Sequence, residues 1–474
     1  MENILELLYA DKSQFGNRIA FVDSEKEVTY SQLFDEVLSK ASYLAELGYK
    51  REPIIVKVNR RFETIVAFFA VLLSGNYYIP VDEDIPNYKL EQIIQISKAK
   101  CFISFKEEQL GISKIYFKKP RKMLSFSDFC KDFSKDNYAY LMFTSGSTGE
   151  PKGVIKTHKN LISFVENFSL SFDFIKDERI ANQAPFFFDA SAKDIYLTLK
   201  TGSTLFIPDK SVFSLPMESI NYLNEHKITM IYWVPSILSM IAKTRTLNFI
   251  QPKTLKYVFF VGEVFMPKYL NIWINALPNI RYFNTYGSTE VAGVALFHEI
   301  VSPVETESIP IGKPVKNNNV FLEDDEIIID SDQVALGYIN RLNEGVFEKR
   351  NNVTVLHTGD YGHLNENGDI VFTSRKDFQI KHLGYRIELQ EIESVISKFP
   401  YIDQSCAVYS QEKDLIYLFV SLNQEVDNPV KKILTDAKEK LQFYMIPNKV
   451  IIIDEMPLNN NSKVDRTALK RMVN

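Results

Sequence analysis

The chain has 474 residues, of which 45% are hydrophobic and 24% charged, with a formal net charge of −5. That length exceeds one ordinary core, so two or three globular domains are expected, and the composition excludes disordered and fibrous classes. The slightly acidic balance argues against nucleic acid as the main partner, leaving the basic run 118–122 as a solvated loop. The N-terminus lacks the basic region and long apolar core of a signal peptide, and the longest apolar stretch, 65–73, is too short to span a bilayer. Cys101, Cys130 and Cys406 are far apart without a CxxC, and the 6 histidines include no HxxxH pair. Neither a disulfide framework nor a zinc site is supported; no membrane partner and a cytoplasmic location are expected.

In chain order, helical spacing covers 31–47 behind Thr29, a strand fits 54–58, and a helix fits 62–74. An apolar run at 138–143 then delivers YLMFTSGSTGEPKG at 140–153. Small hydroxyl residues and glycines closed by one lysine are how a backbone cradles phosphates: Gly146, Gly149 and Gly153 permit close approach, and Lys152 adds a movable charge. The GxxxxGK[ST] loop needs lysine directly after glycine, whereas Glu150 and Pro151 separate Gly149 from Lys152 here. Alternation resumes with a helix at 189–200, a strand at 203–207, a helix at 217–225 and a strand at 229–233. A strand at 257–261, a helix at 267–276 and a strand at 280–283 follow. Repeated β-then-α units predict a layered α/β fold with mainly parallel sheets. From about Pro303 the pattern turns to short strands and Asn/Gly turns, and after Arg375 a smaller α+β unit is expected.

Ten segments stand together in order: VTYSQL (28–33), LLSGNYYIPVD (72–82), the phosphate loop, FDAS (188–191), NTYGSTE (284–290), VALGYIN (334–340), HTGD (357–360), SRKDFQIKHLGYRIE (374–388), YMIP (444–447) and NSKVDR (461–466). By these the chain resembles the adenylate-forming superfamily, most closely the amino-acid adenylation domains of nonribosomal peptide synthetases and the D-alanine–carrier-protein ligases. Ser288 stands where that family usually has proline and Ser374 where it usually has glycine; neither change removes a functional group. The resemblance implies a large N-terminal core, 1–376, of layered α/β structure with a distorted β-barrel portion. It also implies a mobile α+β lid, 377–474, turning about Asp377.

The implied reaction joins ATP and a carboxylate into an acyl-adenylate and pyrophosphate, then moves the acyl group to a thiol. Carboxylate attack on phosphorus brings anions together, so cations and amide donors must neutralise the developing charge. The resemblance assigns the phosphates to Thr144, Ser145, Gly146, Ser147, Thr148, Gly149 and Lys152, and a magnesium ion to Glu290, a carboxylate suited to Mg²⁺ with phosphate oxygens. It assigns adenine to Asn284, Thr285, Tyr286 and Gly287, flanked by Gly262, Glu263, Ser288 and Thr289; ribose to Asp360 and Arg375; and the adenylation chemistry to Lys463. Gly384 lies beside the implied path of the thiol.

The carrier of that thiol is expected to be a separate protein bearing phosphopantetheine, because only a short tail follows Lys463 and no condensation domain precedes. The acyl pocket carried over from the family comprises Phe188, Asp189, Ala190, Lys193, Tyr232, Phe259, Val261, Thr285, Gly293 and Val294. Asp189 is costly in an apolar pocket unless it meets an ammonium, which favours an amino acid over a fatty or aryl acid bound for coenzyme A. A rival role for Asp189 is to cap its helix. Lys193, four residues on, reads either as an i,i+4 partner of Asp189 or as a buried cation awaiting a substrate carboxylate. The latter points to glutamate or aspartate, the former to a small neutral substrate such as alanine. A nucleotide-binding regulator without chemistry is the remaining class, and Lys152, Glu290 and Lys463 argue against it.

Overall fold

A computed structural model describes residues 1–144, 151–339, 345–350, 353–376, 379–457 and 464–473. The chain divides into two compact units: Met1–Glu83, Ile94–Phe143 and Gly153–Ser374 form one, and Asp84–Ile93, Thr144–Lys152 and Arg375–Asn474 form the other.

The first unit is built on layered sheets. In the 9-stranded sheet the central strands run in the order Arg281–Tyr286, Tyr257–Val261, Met230–Trp233, Arg179–Ala181, Thr204–Phe206 and Ile19–Val22. These neighbours are all parallel, while Leu296–Ile300 and Glu27–Thr29 add antiparallel strands at either side. Parallel neighbours need crossovers, supplied by the helices Asp189–Thr201, Pro216–Glu225, Pro235–Lys243 and Pro267–Ala276. Three of the four begin with proline at the first turn, where its missing N–H costs nothing. A 6-stranded sheet places Tyr138–Thr144 between Tyr77–Asp82 and Lys152–Thr157. The helix Phe62–Leu73 is buried at every position but Glu63, as an all-apolar helix inside a layered core must be. A 5-stranded sheet follows, in which Asn319–Glu323, Glu326–Asp330, Val353–Leu364 and Phe347–Arg350 pair antiparallel in that order and Ile370–Arg375 pairs with Val353–Leu364.

Helix starts follow their local chemistry. Thr29 caps Tyr30–Glu46 and Gln32 returns the bond, a reciprocal capping box. The strand expected to end at Phe283 runs on to Tyr286, because Asn284, Thr285 and Tyr286 pair with His298, Phe297 and Leu296. The motif residues therefore sit on rigid sheet.

In the second unit a hairpin of Gln379–His382 and Tyr385–Glu388 precedes the helix Leu389–Ile396 and a 3-stranded sheet. Leu383 and Gly384 both have positive φ, 53° and 81°, as a two-residue primed hairpin turn requires. Within the same unit Lys89 Nζ lies 2.9 Å from Glu391 Oε1 and donates to Gln442 Oε1 at 3.0 Å. No helix among the described residues is long and apolar enough to cross a membrane.

Asn160 ties the helix His158–Ser171 to the segment leading to Tyr338. Its Oδ1 completes the capping box with Thr157, and its Nδ2 donates to the carbonyls of Asp332 and Val334, both at 2.8 Å. Asn160→Ala strands those buried partners and is expected to lower unfolding free energy by about 2 kcal/mol. The check is a lower urea midpoint at unchanged slope; an unmoved midpoint removes Asn160 as a structural tie.

Candidate active site

The strand Arg281–Tyr286 aims alternate side chains to opposite faces, Asn284 and Tyr286 to one and Thr285 to the other. Asn284 Nδ2 donates to the Pro310 carbonyl at 2.7 Å, which fixes the orientation of the amide. The Tyr286 hydroxyl donates to Asp360 Oδ2 in a short hydrogen bond, and both residues are buried. Asp360 is further set by its backbone N–H, which donates to Thr358 Oγ1 at 3.1 Å. Thr285 Oγ1 accepts from the Tyr232 hydroxyl at 2.6 Å and donates to the Phe260 carbonyl at 2.9 Å.

The turn after Tyr286 is as tight as chain geometry allows. A Cβ on Gly287 would come 2.5 Å from the Gly293 carbonyl oxygen, and one on Gly293, at φ +68°, would enter the Phe164 ring at 2.1 Å. Ser288 and Thr289 are half-buried on that turn, and Glu290 is buried beyond it. Glu290 Oε1 accepts from the Tyr338 hydroxyl at 2.8 Å, and the Glu290 carbonyl accepts from Ala335 N–H. Gly262 (φ +97°) ends the neighbouring strand with open space on its Cβ side. Glu263 spends its Oε2 on the Ser236 N–H at 2.8 Å, at the start of Pro235–Lys243, where the helix dipole favours an anion.

On the acyl side, Asp189 opens the helix Asp189–Thr201, but the capping position belongs to Phe188, which makes no side-chain cap bond. The capping rival for Asp189 is thereby removed. Instead the Tyr140 hydroxyl donates to Asp189 Oδ1 at 2.7 Å. Asp189 is half-buried as a residue. Its carboxylate is nonetheless enclosed enough for desolvation to push its pKa above the usual range, against the pull of Lys156 and the Tyr140 bond. Tyr232, Phe259 and Val294 are buried, Ala190 and Val261 half-buried, with Phe259 stacked on Phe283 at 4.5 Å between centroids.

Lys193 corrects both readings of it. It pairs neither with Asp189 nor with nothing: its Nζ lies 2.8 Å from Asp194 Oδ1 and 3.7 Å from the centre of the Tyr232 ring. Asp194 also accepts from Asn182 Nδ2 at 2.8 Å. Lys193 is 3% and Asp194 1% exposed, so the pair is fully desolvated and internally compensated. The Tyr232 hydroxyl is likewise committed to Thr285, so neither it nor Lys193 stands without a partner.

The sequence reading passed over Lys156 and Tyr140. Lys156 is 0% exposed in the strand Lys152–Thr157, and its Nζ has no hydrogen-bond partner among the described residues. Desolvation pushes its pKa down to about 8, opposed by the carboxylates of Asp189 and then Glu290. The available signal was a lone cation inside the run Val154–Thr157, directly after the phosphate loop.

In the second unit, Thr144 and Lys152 are half-buried at the ends of strands that flank the phosphate loop. Arg375 Nη2 and Arg386 Nε both donate to Gln379 Oε1, at 2.9 and 2.8 Å. Gly384 occupies the hairpin tip. Ser145, Gly146, Ser147, Thr148, Gly149, Asp377 and Lys463 lie outside the described residues. Among the described residues no three His, Cys, Asp or Glu side chains cluster as a metal site.

The AMP-binding enzyme family matches residues 8–339, and the AMP-binding enzyme C-terminal domain matches 391–463. The chain is 31% identical over 495 residues to a D-alanine–D-alanyl carrier protein ligase of Staphylococcus aureus, covering 100% of each. It is 30% identical over 492 residues to the ligase of the same name from Staphylococcus haemolyticus, again covering 100% of each. In fold it is similar to the Vibrio cholerae adenylation domain AlmE, solved with glycyl-adenosine-5'-phosphate (TM-score 0.85, 20% identity, 99% of this chain and 97% of that one). It is likewise similar to o-succinylbenzoate CoA synthetase of Bacillus subtilis (TM-score 0.83, 21% identity, 98% of each). With the core and C-terminal family regions both matched and relatives aligned over their full length, the chain belongs to the AMP-binding enzyme family and is an ATP-dependent, AMP-forming ligase.

Proposed function

We propose that the protein activates an amino acid as its aminoacyl-adenylate and passes the aminoacyl group to the phosphopantetheine thiol of a carrier protein. The observation that carries this reading is Asp189: a desolvated carboxylate, oriented by Tyr140, that needs a cation which an amino-acid ammonium supplies. The carrier protein ligases to which the chain is similar end to end support the acceptor. The side chain accepted is small and neutral. Lys193 has its counterion in Asp194, so the pocket holds no unpaired cation there for a glutamate or aspartate.

In the first half-reaction a substrate carboxylate oxygen bonds to the α-phosphorus of ATP while the bond to pyrophosphate breaks. Asp360, preset by Tyr286, takes the ribose hydroxyls, and the face of Tyr286 receives adenine, with Asn284 reading its edge. Thr144, Lys152 and the 145–149 loop hold the departing phosphates. Glu290, steadied by Tyr338, would hold a magnesium ion, whose chemistry would be to screen phosphate charge. Lys463 bridges the carboxylate and the α-phosphate as charge moves between them. In the second half-reaction the carrier sulfur attacks the acyl carbon, the carbon–oxygen bond to phosphate breaks, and AMP leaves. Asp377 is the hinge for the change between the two, and Gly384 keeps the hairpin tip slim beside the thiol.

Amino-acid-dependent ATP–pyrophosphate exchange tests the reading, followed by loading of a holo carrier protein. Alanine and serine are expected to exceed glutamate and aspartate, in the wild type and in Lys193→Met alike. An acidic preference abolished by that variant reinstates Lys193 as a substrate contact, and rapid turnover with coenzyme A alone moves the protein to the acyl-CoA ligases.

Asp189→Asn keeps the shape of the anchor and deletes its charge. Leaving a buried ammonium unpaired costs about 3–5 kcal/mol, so the KM for the amino acid should rise by at least about 100-fold with the KM for ATP little changed. An unchanged amino-acid KM refutes the anchor.

Lys463→Ala should slow adenylate formation by at least about 10²–10³-fold while leaving thiol loading from preformed aminoacyl-adenylate intact. Near-normal exchange in that variant removes Lys463 from the chemistry.

A further inference from the structure

Two elements frame Lys156. On one side the adjoining strand Tyr138–Thr144 carries Tyr140, whose hydroxyl holds Asp189. On the other, the segment 334–338 is bonded to the lysine's own strand: Ile155 N–H donates to the Gly337 carbonyl at 3.0 Å and Leu336 N–H to the Ile155 carbonyl at 3.1 Å. Val154 bridges Tyr338 in antiparallel fashion. That same segment grips Glu290, through Ala335 N–H on its carbonyl and the Tyr338 hydroxyl on its carboxylate. The strand of Lys156 thus lies between an element bonded to the group assigned to the substrate ammonium and one bonded to the group assigned to the metal, and both carboxylates act on the lysine electrostatically. Its Nζ is sealed from solvent and lacks a hydrogen-bond partner among the described residues. Lys193, the nearby alternative cation, is committed to Asp194.

A buried ammonium without a partner is among the costliest features a core can hold, and a leucine would fill the space at no such cost. The interval between an ammonium anchor and the reacting phosphate is where the α-carboxylate of a bound amino acid must lie. We infer that Lys156 positions the α-carboxylate of the substrate, so that the first unit alone grips both ends of the zwitterion, Asp189 the ammonium and Lys156 the carboxylate. The inference rests on the proposed amino-acid function and adds to it a residue that acts before Lys463 is engaged. Lys156 is a specificity element as well as a positioning residue, because a carboxamide or alcohol in place of the carboxylate leaves its charge unanswered.

The test is equilibrium binding of alanine, as each enantiomer, and of alaninamide to the full-length protein with AMP present, for wild type, Lys156→Met and Lys156→Arg. Exchange kinetics and thermal melting accompany it. Wild type is expected to prefer alanine to alaninamide by at least tenfold. Lys156→Met should erase that preference and raise the alanine KM by at least tenfold with the ATP KM within about twofold, while Lys156→Arg recovers part of it. A higher melting temperature in Lys156→Met with unchanged amino-acid KM and undiminished discrimination makes the lysine a structural burden only, and overturns the inference. A rise confined to the KM for ATP assigns Lys156 to the nucleotide phosphate and equally overturns it. Absence of exchange with every amino acid in the wild type is a failure of the proposed function itself, and is read before any variant is made.

Discussion

The carboxylate of Asp189 has been taken out of water and given one tyrosine hydroxyl in return. A hydroxyl offsets only part of the lost hydration of a full charge, and the ammonium of the proposed substrate would supply the rest. The surrounding design follows from that deficit. The helix Asp189–Thr201 starts with Phe188 at its capping position, so the carboxylate is not consumed by the helix's own N–H groups. Lys193, one turn along, is drawn off by Asp194, leaving Asp189 without the lysine that the sequence places beside it. Lys193 is thus withheld from Asp189, while Lys156 acts on it electrostatically without a hydrogen bond.

The residues assigned to the nucleotide follow the opposite economy, in which each polar group is oriented by another. Tyr286 and Asp360 are joined, Glu290 is joined to Tyr338, and Asn284 to the Pro310 carbonyl. Such pairs lower the cost of ordering side chains around a bound molecule, and sheet strands hold them more closely than loops do. The two glycines at 287 and 293 serve the same end: their backbones approach within a distance no Cβ allows, which compresses the turn between the strand Arg281–Tyr286 and Glu290.

The layered α/β architecture was legible because the strand and helix periods are strong along 189–283, and a candidate site could be named because each motif holds its chemistry in consecutive residues. What escaped is what tertiary packing decides. Spacing suggested Asp189 and Lys193 as an i,i+4 pair, yet the long lysine stem reaches its immediate neighbour Asp194, whose carboxylate is turned inward to Asn182. The strand's extension from Phe283 to Tyr286 depended on pairing with an antiparallel strand 10 and more residues downstream, invisible to a local window. Lys156 was overlooked for the reverse reason: a single charge inside an apolar run looks like noise until its burial is known.

Charge balance makes the reading of the acyl region more demanding than a match of motifs. Lys193 and Asp194 cancel, and three buried or enclosed charges remain around the reacting centre: Asp189, Glu290 and Lys156. A fatty or aryl carboxylate answers Lys156 and leaves Asp189 stranded. An amine without a carboxylate answers Asp189 and leaves Lys156 stranded. An acidic amino acid brings a second carboxylate for which no unpaired cation stands among the pocket residues. On the proposed function, a zwitterion with a small neutral side chain, together with a magnesium ion at Glu290, would give every one of these charges an opposite.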